Sequence, residues 1–403
     1  MVLRIAPRFS YPVGMAVLIL SQSALSAPDD ALQPYVSATY TYYSNLFLIP
    51  SDTPPGTPGV LDPVRKDSSE QVEAGLEFNN TYGLQNFTGY AKVNQTDFQH
   101  FTQLDYFGRD LLANWNWNVS SVLQGTLGAS DTRSLGPFTD FHLQERNLLD
   151  ESKEFATADL LISPHWLLHT GLNRDESDFE LPVQQINDNA SNYKEIGVDY
   201  LGSNNGSIGF VYRHLVGNYP NYQLFDGERV TNSYSQDEYK LKVDWHFTGK
   251  TELTFLGGYV QRESDLSSLN VYGLNGRLVY LWMPTDKLKF NLTGWHEYSP
   301  IQTGEVGYSI NTGISTETSW DVTSKINLAA RLKYEKRDFY DFIYGAVTPY
   351  YDDATNNATV IAKYEPRQFL QFILMITHDL RSANIPEEGF VGNGASLSAS
   401  LKF

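Results

Sequence analysis

Apolar and polar residues alternate with a period of two along most of the chain from Tyr35 onward. This alternation predicts β-strands, because successive side chains of a strand point to opposite faces of a sheet. One face is apolar, whereas the other carries full charges. In one segment Tyr239, Leu241, Val243, Trp245 and Phe247 alternate with Lys240, Lys242, Asp244 and His246. The pattern recurs at 72–78, 87–93, 288–293 and 326–335, and it runs through the last segment, 395–403.

About eighteen strand-length segments follow one another, with starts near residues 35, 68, 84, 103, 120, 146, 166, 191, 206, 233, 251, 269, 287, 304, 324, 354, 368 and 390. The linkers alternate between short and long, which is typical of the periplasmic turns and extracellular loops of an outer-membrane barrel. In such a barrel the apolar face meets lipid and the polar face lines the interior. We therefore predict an all-β fold, a transmembrane antiparallel β-barrel closed by its C-terminal strand, since lipid tolerates no open sheet edge.

Tryptophan placement supports a membrane barrel. Six tryptophans lie on the apolar phase within a few residues of a predicted short turn: Trp115, Trp117, Trp166, Trp245, Trp282 and Trp320. Trp295 lies toward the other end of its segment. A row of tryptophans near one end of the strands predicts an aromatic girdle at one membrane interface.

The N-terminal segment predicts export from the cytoplasm. Arg4 and Arg8 precede a short apolar stretch at 13–20, and small residues follow at 21–27. This is the pattern of a secretory signal peptide. We assign 1–26 to the signal peptide and 27–403 to the barrel, and we expect the mature protein in the cell outer membrane.

Composition narrows the chemistry further. The formal net charge of −18 argues against a nucleic-acid partner and fits acidic loops that face lipopolysaccharide and its cations. The chain has no cysteine, no G-x-S-x-G motif and no H-E-x-x-H motif. His165 and His169 have a spacing that on a strand is too long for one shared metal ion. We predict a protein that is not an enzyme and that carries no cofactor or metal.

Charges on the inward phase identify candidate pore-lining residues. Acidic ones fall in the first half of the chain: Glu73, Glu77, Glu195 and Asp199. Basic ones fall in the second half: Lys240, Lys242, Arg277, Lys287, Lys289, Arg331 and Lys333. Two opposed walls of this kind would orient a passing solute. Exceptions such as Lys92, Asp244, Glu252, Glu317 and Glu335 leave open the alternative that lumen charges pair with their neighbours.

Two long linkers, at 219–225 and 339–351, are rich in aromatic residues. Aromatic faces stack on sugar rings, so these linkers could contact a glycan. The alternative is that they fold inward and pack on one another.

Several stretches together resemble a known family. They include Asn45-Leu46-Phe47, Trp115-Asn116-Trp117, Ser163-Pro164-His165-Trp166, Gly276-Arg277-Leu278, Gly294-Trp295-His296-Glu297, Lys336-Arg337-Asp338-Phe339 and Asn384-Ile385-Pro386. In order and spacing the chain resembles the outer-membrane barrel proteins encoded with exopolysaccharide biosynthesis and exosortase (PEP-CTERM sorting) systems. The resemblance implies a role in polysaccharide export and no catalytic residues.

These observations lead to one functional prediction with alternatives. We expect an outer-membrane pore through which a bacterial exopolysaccharide is exported. The expected partners are the exopolysaccharide, outer-membrane lipid and lipopolysaccharide, and periplasmic export components. The alternatives are a general porin for small solutes, a non-conducting surface scaffold of the polysaccharide machinery, and an enzyme on a barrel wall.

Overall fold

The computed structural model describes residues 31–50, 53, 60, 62–202, 206–225, 228–300, 307–341, 349–385 and 388–403. The predicted signal peptide at 1–26 lies outside the described residues and stays a prediction. Within the described ranges, no helix combines the length and the hydropathy needed to cross a bilayer. Short 3₁₀ turns at Thr102–Leu104, Pro182–Asn187 and Ser267–Leu269 lie in connections between strands.

Strands dominate the described part of the chain. They are β1 Leu32–Tyr43, β2 Asp67–Tyr82, β3 Gln85–Phe98, β4 Tyr106–Ser120, β5 Leu123–Leu135, β6 Leu148–Ser163, β7 Trp166–Phe179, β8 Asn189–Leu201, β9 Ser207–Asn218, β10 Gln223–Phe225, β11 Glu228–Val230, β12 Tyr234–Thr248, β13 Thr251–Ser264, β14 Val271–Thr285, β15 Leu288–Pro300, β16 Gly307–Thr323, β17 Ile326–Asp341, β18 Tyr351–Arg367, β19 Leu370–Ala383 and β20 Phe390–Lys402.

Eighteen of these described strands form one closed antiparallel sheet, and β10 and β11 form a small separate hairpin. Consecutive barrel strands pair with each other, and β9 pairs directly with β12. The sheet closes where β1 pairs with β20, with Val36 opposite Leu401 and Tyr40 opposite Leu397. The predicted all-β barrel, closed by the C-terminal strand, is confirmed.

The two faces of the sheet follow the alternation in the sequence. Leu241 is 48% exposed, whereas the preceding Lys240 is 6% exposed. Apolar side chains thus point out of the barrel, where only lipid can cover so continuous an apolar surface. The six tryptophans of the predicted girdle lie on this outward phase, near the short turns. Trp295 instead points inward and is 9% exposed.

The two ends of the barrel differ in their connections. The start of β1 and the end of β20 lie at one end of the barrel, and the turns between strands at that end are short. In the β2–β3 turn, Gly83 has φ +62°, a conformation that favours glycine. Longer connections lie at the opposite end. An apolar cluster there joins the β1–β2, β3–β4 and β5–β6 connections through Phe47, Leu104 and Phe138. We call these the short-turn end and the long-loop end.

Several described rings of the aromatic linkers pack within the protein. Phe339 stacks on Tyr351 with ring centroids 4.0 Å apart, and Tyr350 packs edge-on against Tyr351. Tyr219 is buried. Residues 342–348 of the second linker lie outside the described ranges. Tyr222 of the first linker is 44% exposed, with the Arg229 guanidinium 4.4 Å from its ring centroid.

Candidate functional site

The inward face of the barrel is the candidate site, because it gathers the charged side chains that the sequence places on the polar phase. Glu195 on β8 lies opposite Arg213 on β9, and Arg213 lies opposite Glu238 on β12. Arg213 Nη2 is 2.6 Å from Glu195 Oε2, and its Nη1 is 3.5 Å from Glu238 Oε2. Lys240 Nζ completes the row at 2.6 Å from Glu238 Oε2. Each charge therefore neutralises a neighbour along the wall.

A second ion pair on the same wall joins β8 to β12 across the intervening strand β9. Asp199 on β8 and Lys242 on β12 both lie opposite Gly209 on β9. Lys242 Nζ is 2.5 Å from Asp199 Oδ2. A Cβ atom at position 209 would overlap the Asp199 carboxylate. The absence of a side chain at Gly209 is therefore what lets this ion pair bridge two strands that are not neighbours.

His169 joins the first row to the Asp199–Lys242 pair. It is fully buried on β7, opposite Gly197 of β8. Its Nδ1 is 3.2 Å from Asp199 Oδ2 and its Nε2 is 3.8 Å from Glu195 Oε1. We call the whole set the wall network: His169, Glu195, Asp199, Arg213, Glu238, Lys240 and Lys242.

Three other predicted basic residues also have acidic neighbours. Arg277 Nη2 is 2.6 Å from Glu297 Oε2, and Arg331 Nη2 is 2.5 Å from Glu317 Oε2. Lys333 Nζ is 2.9 Å from Glu335 Oε1. The guanidinium of Arg277 and the ammonium of Lys333 both lie over the Trp295 ring.

Two predicted lysines are placed differently from each other. Lys289 lies on β15, where it is half-buried on the inward phase. Lys287 lies in the turn between β14 and β15, so the expectation that it lines the wall is corrected. Its residue type fits a lumen position, but the β14–β15 turn falls at Asp286–Lys287, where the segment was expected to start.

The predicted acidic residues of β2 lie on the inward phase as expected. Glu73 Oε1 accepts a hydrogen bond from the Tyr35 hydroxyl at 2.7 Å. Glu77 Oε2 is 3.3 Å from Lys402 Nζ on the closing strand. Nearby, Lys92 Nζ is 3.0 Å from Asp110 Oδ2. These lumen charges contact residues on nearby strands. The contacts agree with the alternative of pairing between neighbours rather than with two opposed walls of charge.

A second ion network lies at the long-loop end and was not predicted. Asp140 belongs to the β5–β6 connection, whereas Arg337, Asp353 and Arg381 point inward from β17, β18 and β19 on the far side of the barrel. Arg337 Nη2 is 2.8 Å from Asp140 Oδ1 and 2.7 Å from Asp353 Oδ2. The β5–β6 connection therefore spans the mouth.

Arg381 binds the same carboxylates from β19. Its Nη1 is 3.0 Å from Asp140 Oδ1, and its Nη2 is 2.6 Å from Asp353 Oδ2 and 3.3 Å from Glu388 Oε2. Arg381 and Asp353 are fully buried. We call this set the mouth network: Asp140, Arg337, Asp353, Arg381 and Glu388.

The ion pairs of the mouth network set the ionisation of Asp140. Burial alone would raise the pKa of this carboxyl, but the guanidinium groups of Arg337 and Arg381 outweigh burial and hold the pKa well below its usual range. On the same connection, His142 Nδ1 lies 2.9 Å from the Phe47 carbonyl oxygen, which accepts its hydrogen bond and ties the connection to the apolar cluster. The connection is therefore anchored at two points, one ionic and one apolar.

Comparisons with known proteins agree on the fold. No family model matches the chain, and no curated protein matches it. A BenF-like porin from Pseudomonas fluorescens Pf-5 is similar in structure, with 10% sequence identity, a TM-score of 0.50 and coverage of 92% of this chain and 99% of that one. The outer membrane protein OpdK from Pseudomonas aeruginosa has 10% identity, a TM-score of 0.49 and the same coverage of both chains.

OccAB3 from Acinetobacter baumannii has 8% identity and a TM-score of 0.48, again over 92% of this chain and 99% of that one. At such identities only the fold is shared. The barrel shares its fold with the BenF-like porin. The closed barrel with its apolar outer face is that of a protein of the cell outer membrane. Because such barrels have short periplasmic turns and longer extracellular loops, we expect the long-loop end outside and the short-turn end in the periplasm.

Proposed function

We propose that this protein is an outer-membrane channel for small polar solutes. The observation that carries the proposal is the β5–β6 connection, which spans the mouth of a barrel whose inward face is polar. Polar and charged groups on the inward phase favour a water-filled interior. A connection held across the mouth by Asp140 narrows the passage, and a narrowed passage favours small solutes over a polymer.

The pairing of lumen charges supports the same function. The wall network and the pairs at Arg277, Arg331 and Lys333 present both signs of charge side by side. A lining of this kind offers weak, repeated contacts to a polar solute, which allow it to leave as readily as it enters. We expect modest ion selectivity rather than a strong preference for either sign.

Export of an exopolysaccharide is the second candidate. It is favoured by the sequence resemblance, and by the half-buried ring of Tyr90 on the inward phase, where the ammonium of Lys92 lies 3.9 Å from the ring centroid. Such a surface suits sugar rings. Polymer passage would require the β5–β6 connection to leave the mouth. Lipopolysaccharide and periplasmic export components remain proposed partners under either function.

Single-channel recording in planar bilayers tests the proposal. We expect steady conductance in the wild type, a larger conductance in Asp140→Asn, and little block by added oligosaccharide. Asp188→Asn is the matched control, because Asp188 lies in another long connection and binds only the Phe179 amide and Asn221 among the described residues.

Each result decides between the functions. Conductance that is blocked by oligosaccharide would favour polysaccharide export. Absence of conductance in both the wild type and Asp140→Asn would favour a surface scaffold. Equal conductance in Asp140→Asn and the wild type would show that the Asp140 ion pairs do not set the width of the path.

A further inference from the structure

A cluster of three metal-ligating side chains faces the lumen at the short-turn end. Asp244 and His246 lie on β12, and Glu252 lies on β13 directly opposite His246. Their strands place all three on the inward phase, since the intervening Trp245 points outward. The register between β12 and β13 shifts just beyond His246. Such irregularities re-aim side chains and are common beside functional sites.

The side-chain atoms of the cluster are close enough to share one ion. His246 Nδ1 is 4.0 Å from Asp244 Oδ1, and His246 Nε2 is 3.7 Å from Glu252 Oε2. One ligand atom from each residue lies within 4.8 Å of the others. Two ligands of a tetrahedral zinc ion lie ~3.4 Å apart, given zinc–ligand bonds of about 2.0–2.1 Å. Small side-chain rotations therefore bring the three atoms to an ion.

The charges of the cluster differ from those of the wall network and of the ion pairs at Arg277, Arg331 and Lys333. The carboxylates of the wall network, and those beside Arg277, Arg331 and Lys333, each have a lysine or arginine partner. Among the described residues, Asp244 and Glu252 have no such partner, and their ion-pair contacts are with His246 alone. The nearest lysine along β12, Lys242, is held by Asp199. Two negative charges thus face each other across a histidine.

We propose that Asp244, His246 and Glu252 bind a divalent transition-metal ion, with Zn²⁺ as the best-matched ion. One imidazole nitrogen and two carboxylate oxygens are a ligand set that zinc accepts, and a water molecule can fill the fourth position. Mg²⁺ and Ca²⁺ prefer oxygen ligands alone. All three side chains are about one-third exposed, so ions in the lumen can reach them.

Binding would change the charge at the periplasmic mouth. An ion of charge +2 cancels the two carboxylates, which removes a local attraction for cations. The site would then shift the channel toward anions when metal is present. This consequence rests on the proposed channel function, whereas binding itself does not.

Calorimetry on the detergent-solubilised barrel tests binding directly, with ZnCl₂ as the titrant at neutral pH. We expect one site in the wild type, and in His246→Ala a dissociation constant raised by at least about tenfold, which is 1.4 kcal/mol of binding free energy. Glu252→Gln should weaken binding in the same way. His378→Ala is the matched control, because His378 is exposed on the outward phase and contacts Asn393.

The results distinguish a specific site from zinc that binds elsewhere on the barrel. Absence of a zinc signal in the wild type, or equal affinity in the wild type, His246→Ala and Glu252→Gln, would overturn the proposal. Equal affinity for CaCl₂ would overturn the role of the imidazole. Heat-modifiable migration on gels shows whether each variant is folded, and Asp244→Asn provides a third variant should one fail.

Bilayer recording gives a second measurement, in which ZnCl₂ is added to one side of the membrane. ZnCl₂ on the short-turn side should shift the reversal potential in a salt gradient toward anions, and His246→Ala should remove the shift. A shift that persists in His246→Ala would contradict the site. A protein that binds zinc in the calorimeter but does not conduct would keep the metal site and refute the channel.

Discussion

The wall network and the mouth network use the same residue types but join different parts of the molecule. The wall network links β7, β8, β9 and β12, which the sheet already holds side by side. The mouth network joins Asp140 to Arg337 and Arg381 from opposite sides of the barrel. These two arginines follow Asp140 in the sequence by 197 and 241 positions, respectively. Similar chemistry therefore has different consequences in the two places.

The two networks differ in whether backbone hydrogen bonds already hold together the segments that the ion pairs join. Where backbone hydrogen bonds fix the strands, an ion pair adds charge and local order but little to the architecture. Where no backbone pairing exists, the ion pairs hold the β5–β6 connection to β17, β18 and β19, while His142 and Phe138 hold it to the apolar cluster. We infer that the wall network sets the electrostatic character of the channel and the mouth network sets its aperture.

The largest expected effect is at the mouth network. Arg381→Met removes a fully buried guanidinium that contacts Asp140, Asp353 and Glu388. Loss of one partner of a buried ion pair leaves uncompensated charge and costs about 3–5 kcal/mol. Denaturant unfolding in lipid vesicles should show this loss.

Arg277→Met is the control on the wall. Its pair with Glu297 is about one-third exposed, so its removal should cost about 1 kcal/mol or less. An equal loss in the two variants would erase the distinction between the networks.

A smaller effect is expected inside the wall network. Gly209→Ala places a methyl group against the Asp199 carboxylate and 2.6 Å from the Val198 carbonyl oxygen. Overpacking of this kind costs about 1–3 kcal/mol and should displace Lys242 from Asp199. The unfolding free energy and the reversal potential should both change, without a gain in conductance.

Gly171→Ala is the matched control, because it lies on the same wall and its nearest neighbour, Glu195 Cβ, would be 3.8 Å from the added Cβ. A larger conductance in Gly209→Ala would mean that the wall also sets the aperture.

The smallest expected effect concerns pH. Mild acid should not change the conductance that the mouth network sets. Asp140 has a depressed pKa, so its contribution to stability is present above the ordinary aspartate pKa of about 3.9 and is lost only as pH falls through the lower folded value. Conductance should therefore stay constant from neutral pH to about pH 4.5.

The groups that face Asp140 or its partners are Arg337, Arg381, Asp353, Glu388 and His142. His142 Nε2 is 3.8 Å from Glu388 Oε2, and His142 lies on the same connection as Asp140. A rise in conductance as the pH falls toward the ordinary aspartate pKa of about 3.9 would show an ordinary aspartate at the mouth.

The fold was predictable because lipid requires every strand to place apolar side chains on its outward face. This requirement can be recognised within the sequence of each strand alone. The choice between Leu241 outward and Lys242 inward depends only on the alternation, and closure by the last strand follows from the cost of an open edge. The position of Lys287 was not predictable to the residue, since a shift of one position at a turn moves a side chain off the wall.

The site was predictable only in part, because its contacts are long-range. The alternation identified the inward charges but not their partners. Nothing local to Asp140 indicates that it meets Arg337 and Arg381, and the Asp199–Lys242 pair depends on Gly209 lying between them. The spacing of Asp244 and His246 was visible on β12, but the register that adds Glu252 depends on an irregular turn.

The span of the mouth network has a consequence for biogenesis. Its contacts have long sequence separation, and ordering such a long loop before its ends are fixed is entropically costly. Arg337 and Arg381 reach their final positions only when β17 to β19 are in the sheet, so Asp140 has no docking point until then. The barrel should therefore pass through an inserted stage with an open mouth during assembly, and the β5–β6 connection should close across the mouth last.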